Sequence, residues 1–151
     1  MNRISVDSPV GPLTVFAEDG AITRLDWCRA ERQGDDAVLD AALTQLNAYF
    51  AGALQRFDLP LAPGGSAFQQ AFYAALCAIP HGQTRQYGDL ARDLGVSAQA
   101  IGQACGANPI PILIPCHRVL SANGLGGFSG AGGIEAKVAL LKLEGAASLL
   151  I

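Results

Sequence analysis

Residues 114–119 read Ile-Pro-Cys-His-Arg-Val, which sets the thiol of Cys116 beside the imidazole of His117 in the chain. A thiol attacks only as its thiolate, and a free cysteine with a pKa of about 8.5 is mostly protonated at neutral pH. As a nucleophile, Cys116 needs a proton acceptor and an ordered setting. His117 is the nearest acceptor in sequence, but adjacent side chains rarely point the same way, so a water between them is expected. Pro109, Pro111 and Pro115 fix φ and remove backbone donors, so the approach to Cys116 is stiff. Stiffness suits a sulfur that must be held against one atom of a substrate. The competing reading is a buried structural cysteine in apolar surroundings.

Short elements must position this segment. Ser66 opens a Ser-x-x-Gln capping box with Gln69, and Phe68, Phe72, Leu76 and Ile79 form an apolar stripe that Pro80 ends. Residues 87–97, Tyr-Gly-Asp-Leu-Ala-Arg-Asp-Leu-Gly-Val-Ser, predict a short helix and a turn at Gly95. Ser97 then caps a second helix to about Ala107. This is a helix-turn-helix pattern. Two ordinary packed helices would read the same way. A glycine-rich loop covers 123–133, and Ile134, Val138 and Leu141 predict a last helix ending near Gly145.

Residues 2–28 alternate apolar and polar positions, with Glu18-Asp19-Gly20 as a turn between strands. Leu39, Leu43, Leu46 and Phe50 recur at helical spacing over 37–50, with Gly52 as the stop. The Pro- and Gly-rich segment 60–65 reads as a linker. The expected fold is α/β: a sheet-plus-helix lobe over 1–62, then a mostly helical, winged helix-turn-helix-like lobe over 66–151.

The chain has 151 residues, half of them hydrophobic, enough for a real core. No run of about 20 uncharged apolar residues occurs, so no transmembrane helix is expected. Residues 1–10 lack the apolar core of a signal peptide, which makes the cytoplasm the expected compartment. Cys28, Cys77, Cys105 and Cys116 are irregularly spaced and read as reduced thiols, with Cys77 and Cys105 as small core residues. With His81 and His117 the only histidines and no Cys-x-x-Cys, no metal site is expected. His81, in Pro80-His81-Gly82, reads as an exposed turn residue. The net charge of −3 belongs to the front of the chain. Residues 1–65 carry nine acids and five arginines, whereas 66–151 carry five bases and four acids. The back half is barely positive, so electrostatic affinity for DNA should be modest and salt-sensitive.

The segment Asn108-Pro109-Ile110-Pro111-Ile112-Leu113-Ile114-Pro115-Cys116-His117-Arg118-Val119 resembles that of the O6-alkylguanine-DNA alkyltransferases. The likeness continues through Gly126-Gly127-Phe128, Lys137 and Leu140-Leu141. Upstream it takes in Phe68, Ile79-Pro80, Gly82, Tyr87-Gly88 and Leu90-Ala91, and it extends weakly to residues 8–13. It implies irreversible transfer of an alkyl group from guanine O6 in duplex DNA to Cys116, after the base is flipped out through the minor groove. It implies no cofactor and a monomer.

Residue by residue, the resemblance makes His117 the water-linked base and Glu144 its orienting acid. Glu144 otherwise reads as a solvated helix-end carboxylate, badly placed for the helix dipole. Tyr87, alone a core aromatic, would donate a hydrogen bond to guanine as charge develops on it. Asn108, locally a turn residue, would also tie the second DNA helix to the cysteine segment. Val119 would offer its carbonyl to the base amino group, and Pro111, Phe128 and Ser129 would line the alkyl pocket. Ser97, Ala98 and Gln99 would meet DNA. Arg118 is either a phosphate ligand or structural.

Two features depart from the family pattern. Gln99 stands where relatives have a groove-filling arginine, so the helix 97–107 carries no charge at all. The glycine-rich Ser129–Gly133 stretch is longer than the usual form. The rival readings are a sensor that binds alkylated bases without repairing them and, from another class, a cysteine hydrolase using Cys116 and His117. The cysteine argues against the first, and the adjacency of Cys and His against the second.

Overall fold

The alternating stretch near the N-terminus folds as strands Asn2–Val6 (β1), Leu13–Glu18 (β2) and Ala21–Asp26 (β3), paired antiparallel in the order β1-β2-β3. This computed structural model describes residues 2–122, 124–125 and 133–146. Asp19 and Gly20 join β2 to β3 with φ of 53° and 78°, the paired left-handed conformation that matches strand twist in a two-residue hairpin. On β2, Leu13, Val15 and Ala17 are fully buried. They lie under Ala37–Phe50 (α1), whose first turn is capped by the Asp36 carboxylate accepting from the Val38 amide. The buried face of α1 is Leu39, Ala42, Leu46 and Tyr49, while Leu43 and Phe50 from the expected stripe are only half-buried. Gly52 (φ 79°) ends the helix as a left-handed cap.

The linker is partly structured. The Ile22 amide donates to the Pro60 carbonyl at 2.8 Å and the Ala62 amide to the Ile22 carbonyl at 2.7 Å, so residues 60–62 run along β3. The chain divides into two units, Met1–Gly64 and Gly65–Ile151.

In the second unit, Ala67–Cys77 (α2) begins at the Ser66–Gln69 capping box, with both reciprocal hydrogen bonds present. Phe72, Tyr73, Leu76 and Ile79 are buried, and Phe68 is half-buried against Phe72. Arg85–Gln86 (β4) leads into Tyr87–Leu94 (α3), Gly95 turns the chain with φ 69°, and Ser97 caps Ala98–Gly106 (α4) by accepting from the Ala100 amide at 3.1 Å. A 3-10 turn, Cys116–Arg118, precedes Val119–Leu120 (β5). Among the described residues the expected wing is a two-residue parallel pairing, Arg85 with Val119 and Gln86 with Leu120. Ile134–Leu143 (α5) follows, with Glu144 at its cap and Gly145 at φ 76°. The architecture is therefore α/β, a sheet-plus-helix unit followed by a mostly helical helix-turn-helix unit.

Two core expectations need correction. Cys77 is exposed and Cys105 only half-buried, because the buried faces of their helices centre on Phe72–Leu76 and Ile101–Ala104. On α5, Ile134 is 42% exposed, and the inward face is Lys137, Leu140, Leu141 and then Glu144. Charged residues occupy both ends of that face because each has a specific partner inside. His81 is half-buried rather than exposed. Among the described residues, no helix is long and apolar enough to cross a membrane.

Candidate active site

Two consecutive tight turns deliver Cys116. The Leu113 amide donates to the Pro111 carbonyl at 2.9 Å across Ile112, whose φ is +72°. That is a γ-turn of the less common hand, and a β-branched residue adopts it only under strain of order 1–3 kcal/mol. The Cys116 amide then donates to the Ile114 carbonyl at 2.8 Å across Pro115, at φ −81° and ψ 66°, an inverse γ-turn. Pro115 supplies the φ its turn requires. Ile112 is held by its surroundings: it is buried, and Asn108 braces the loop from the end of α4. The Asn108 amide group donates to the Ile114 carbonyl at 2.9 Å and its oxygen accepts from the Ile110 amide at 3.0 Å.

Cys116 is 4% exposed. Burial pushes its thiol up from the ordinary value, opposed by a hydrogen bond with Asn108 and by the charge of Lys137. The resting group is a thiol, and forming the thiolate needs a base. His117 is fully buried, with Nε2 2.8 Å from Glu144 Oε2. A carboxylate only accepts, so this contact places the imidazole hydrogen on Nε2 and leaves Nδ1 as the lone pair. Nδ1 is buried with no hydrogen-bond partner among the described residues. Burial pulls the imidazole down from its ordinary value, Glu144 pulls it up, and Arg118 and Lys137 again lower it.

Arg118 is not a surface phosphate ligand. Its Nε donates to Glu144 Oε1 at 2.8 Å, one terminal nitrogen to Oε2 at 3.0 Å, and the other to the Ile79 carbonyl at 2.6 Å. It is 7% exposed. A guanidinium so enclosed is spent on the protein, which corrects the DNA-contact reading in favour of the structural one.

Lys137 received no role from sequence. It is fully buried, and its Nζ donates to the Val119 carbonyl at 2.7 Å while standing 5.8 Å from the centroid of the Tyr87 ring. Burial lowers its ammonium from the usual lysine range. The available signal was a lysine seven residues before Glu144, which puts both on one helix face. Tyr87 is half-buried at the first position of α3. The Val119 carbonyl has a second lone pair beyond the one Lys137 takes. Pro111 is half-buried at the start of the first γ-turn.

The structure thus gathers Cys116, His117, Glu144, Asn108, Tyr87 and Val119 around the 3-10 turn. Ser97, Ala98 and Gln99 lie apart, exposed at the start of α4, and Gly102, Gln103 and Gly106 farther along the helix are exposed too. That face is uncharged and small, and a side chain at Gly102 would meet nothing within 4 Å. Phe128 and Ser129 fall outside the described residues.

A family model described as the DNA binding domain of 6-O-methylguanine DNA methyltransferase matches residues 67–146, and one described as its ribonuclease-like domain matches residues 1–63. The chain is 44% identical over 150 residues to the methylated-DNA–protein-cysteine methyltransferase of Mycobacterium tuberculosis (strain ATCC 25618 / H37Rv), covering 93% of this chain and 90% of the relative. It is 39% identical to the protein of that name from Methanosarcina acetivorans, over 92% and 95% of the two chains. The crystal structure of Mycobacterium tuberculosis OGT in complex with DNA superposes with a TM-score of 0.85 at 43% identity, covering 95% of this chain and 93% of that one. With both units matched and the cysteine turn intact, the chain belongs to the 6-O-methylguanine DNA methyltransferase family.

Proposed function

We propose that the protein is a single-turnover DNA repair methyltransferase that moves an alkyl group from O6-alkylguanine to the sulfur of Cys116. The observation that carries this reading is the buried run from Cys116 through His117 to Glu144, set at the end of the braced 108–115 loop. The reaction begins when the thiol proton passes, through a water, to Nδ1 of His117. Sulfur then attacks the alkyl carbon in line, the carbon–sulfur bond forms, and the carbon–O6 bond breaks with its electron pair staying on guanine. Tyr87 donates a hydrogen bond to the base as that charge builds, an interaction stronger in the transition state than before it. Asn108 holds the loop, and the Val119 carbonyl takes the base amino group. Pro111 walls the alkyl group. The thioether product has no leaving group to return, so the protein is consumed.

The DNA partner is duplex, met by α4 from the minor groove. A stacked base hides its O6 substituent from in-line attack, so the nucleotide is flipped. Ser97 and the first amides of α4 supply phosphate contacts, while Ala98 and Gln99 enter the groove. The protein acts as a monomer, in the reducing cytoplasm where the four unpaired thiols, Cys28, Cys77, Cys105 and Cys116, persist.

The test is a mass spectrum after mixing with duplex DNA carrying O6-methylguanine. One methyl group on the Cys116 peptide, absent in Cys116→Ala while DNA binding is kept, is the expected result. Binding without an adduct would make the protein a sensor, and turnover of an ester or amide would make it a hydrolase.

A further inference from the structure

We propose that Arg118 is a positioning residue of the transfer reaction: by engaging both oxygens of Glu144, it keeps His117 in the neutral form with Nδ1 open to accept a proton. This rests on the proposed role of Cys116 and His117, and deepens it.

Both Arg118 and His117 donate to Glu144. Its Oε1 takes Nε of Arg118, and its Oε2 takes both a terminal nitrogen of Arg118 and Nε2 of His117. The side chains of His117 and Glu144 have no solvent exposure, and that of Arg118 has 8%. In so enclosed a cluster a lone carboxylate would be costly, and a countercharge or a proton must accompany it. Arg118 is the countercharge. Without it the His117–Glu144 pair would take up a proton, and there are two places for it. On the imidazole, the proton occupies Nδ1 directly. On Glu144, the carboxyl donates to Nε2, and the imidazole hydrogen is then left on Nδ1. Either placement removes the lone pair that the thiol proton needs.

Among the described residues, Arg118 is the cation seen in contact with both Glu144 oxygens. From α5, Lys137 faces the site, but its Nζ is directed to the Val119 carbonyl. On the 3-10 turn itself, the other titratable neighbour is the Cys116 thiol. From α2, Cys77 is the group whose thiol feels Arg118, and the sequence of α2 has no charged residue. From α4, the half-buried Cys105 thiol is the titratable group, and α4 carries no charge. On α3, Asp89 and Asp93 are tied to Arg92 and Arg85 at the surface. The same guanidinium also reaches the Ile79 carbonyl beyond α2, so its position is fixed independently of the carboxylate.

The experiment is the pH dependence of single-turnover transfer for wild type, Arg118→Lys and Arg118→Gln. An opposite charge at this range moves a titration by about one to three pH units. Arg118→Gln should move the acid limb of the profile up by about that much, with the rate recovering as pH rises. Arg118→Lys, which restores the charge without the fork, should return the limb to near its wild-type position. A role in packing alone would lower the rate of both variants equally at every pH and overturn the proposal. If Arg118→Gln does not fold, imidazole nitrogen NMR of the wild type decides. A neutral His117 with its hydrogen on Nε2 at pH 7 supports the proposal, and an imidazolium there overturns it. Failure here would leave the methyl adduct on Cys116 unaffected, whereas failure of the proposed function would remove the adduct itself.

Discussion

The carbonyl of Ile114 accepts two hydrogen bonds, from the side chain of Asn108 at 2.9 Å and from the amide of Cys116 at 2.8 Å. One oxygen therefore joins the end of α4 to the nucleophile, and anything that moves one moves the other.

Asn108→Ala should expose this link. It leaves the Ile110 amide without its acceptor and removes one donor from Ile114, a buried loss of about 1–3 kcal/mol. It also releases the loop from the strain it holds at Ile112. Urea unfolding should show the lower stability, and transfer should slow more than binding to DNA. Unchanged stability would mean that the loop stands without its brace.

Tyr87→Phe should slow transfer about ten- to a hundredfold while changing DNA affinity less than about twofold, since its hydroxyl acts on charge that exists only in the transition state. Single-turnover rates beside binding curves measure both. Equal losses would make Tyr87 a docking or packing residue.

Replacing Gln99 tests the neutral face of α4. Gln99→Arg should tighten duplex binding roughly three- to tenfold at low salt, with a steeper salt dependence. It should quicken repair of a paired lesion and have little effect on a lesion in single-stranded DNA, where extrusion is cheap. No duplex-specific gain would mean that Gln99 does not fill the gap left by the base.

Acid should weaken the fold through His117. Its folded-state pKa lies below the ordinary value of about 6.5, because burial disfavours the imidazolium. As pH falls through about 6.5 the unfolded chain binds this proton first. Stability that is complete above that value is then lost until the folded value is passed. Urea midpoints at pH 7.5 and pH 5.5 should differ for wild type, and His117→Gln should remove that part of the difference.

The helix-turn-helix and the capping box could be read from sequence because Ser66, Gln69, Gly95 and Ser97 act within one turn of their own positions. The segment around Cys116 was legible as chemistry but not as geometry. Nothing local predicts a positive φ at a β-branched residue, which Ile112 adopts because its neighbours close around it. The burial of Lys137 and Arg118 was not legible for a related reason. Both carry charge, which argues for the surface until partners 18 and 26 residues away in sequence are seen to receive them. Apolar periodicity likewise set the inward face of α5 one position off, since its inward residues include an ammonium and a carboxylate.

Glu144 follows His117 by 27 residues and caps the last described helix. A ribosome that has just added Leu143 has therefore made a cysteine and a histidine but not the group that orients them. Until Glu144 is added, the sulfur has no oriented imidazole beside it to take its proton. A protein that can react once therefore receives the group that orients its base only after the second helix, Ala98–Gly106, and the cysteine turn have been made.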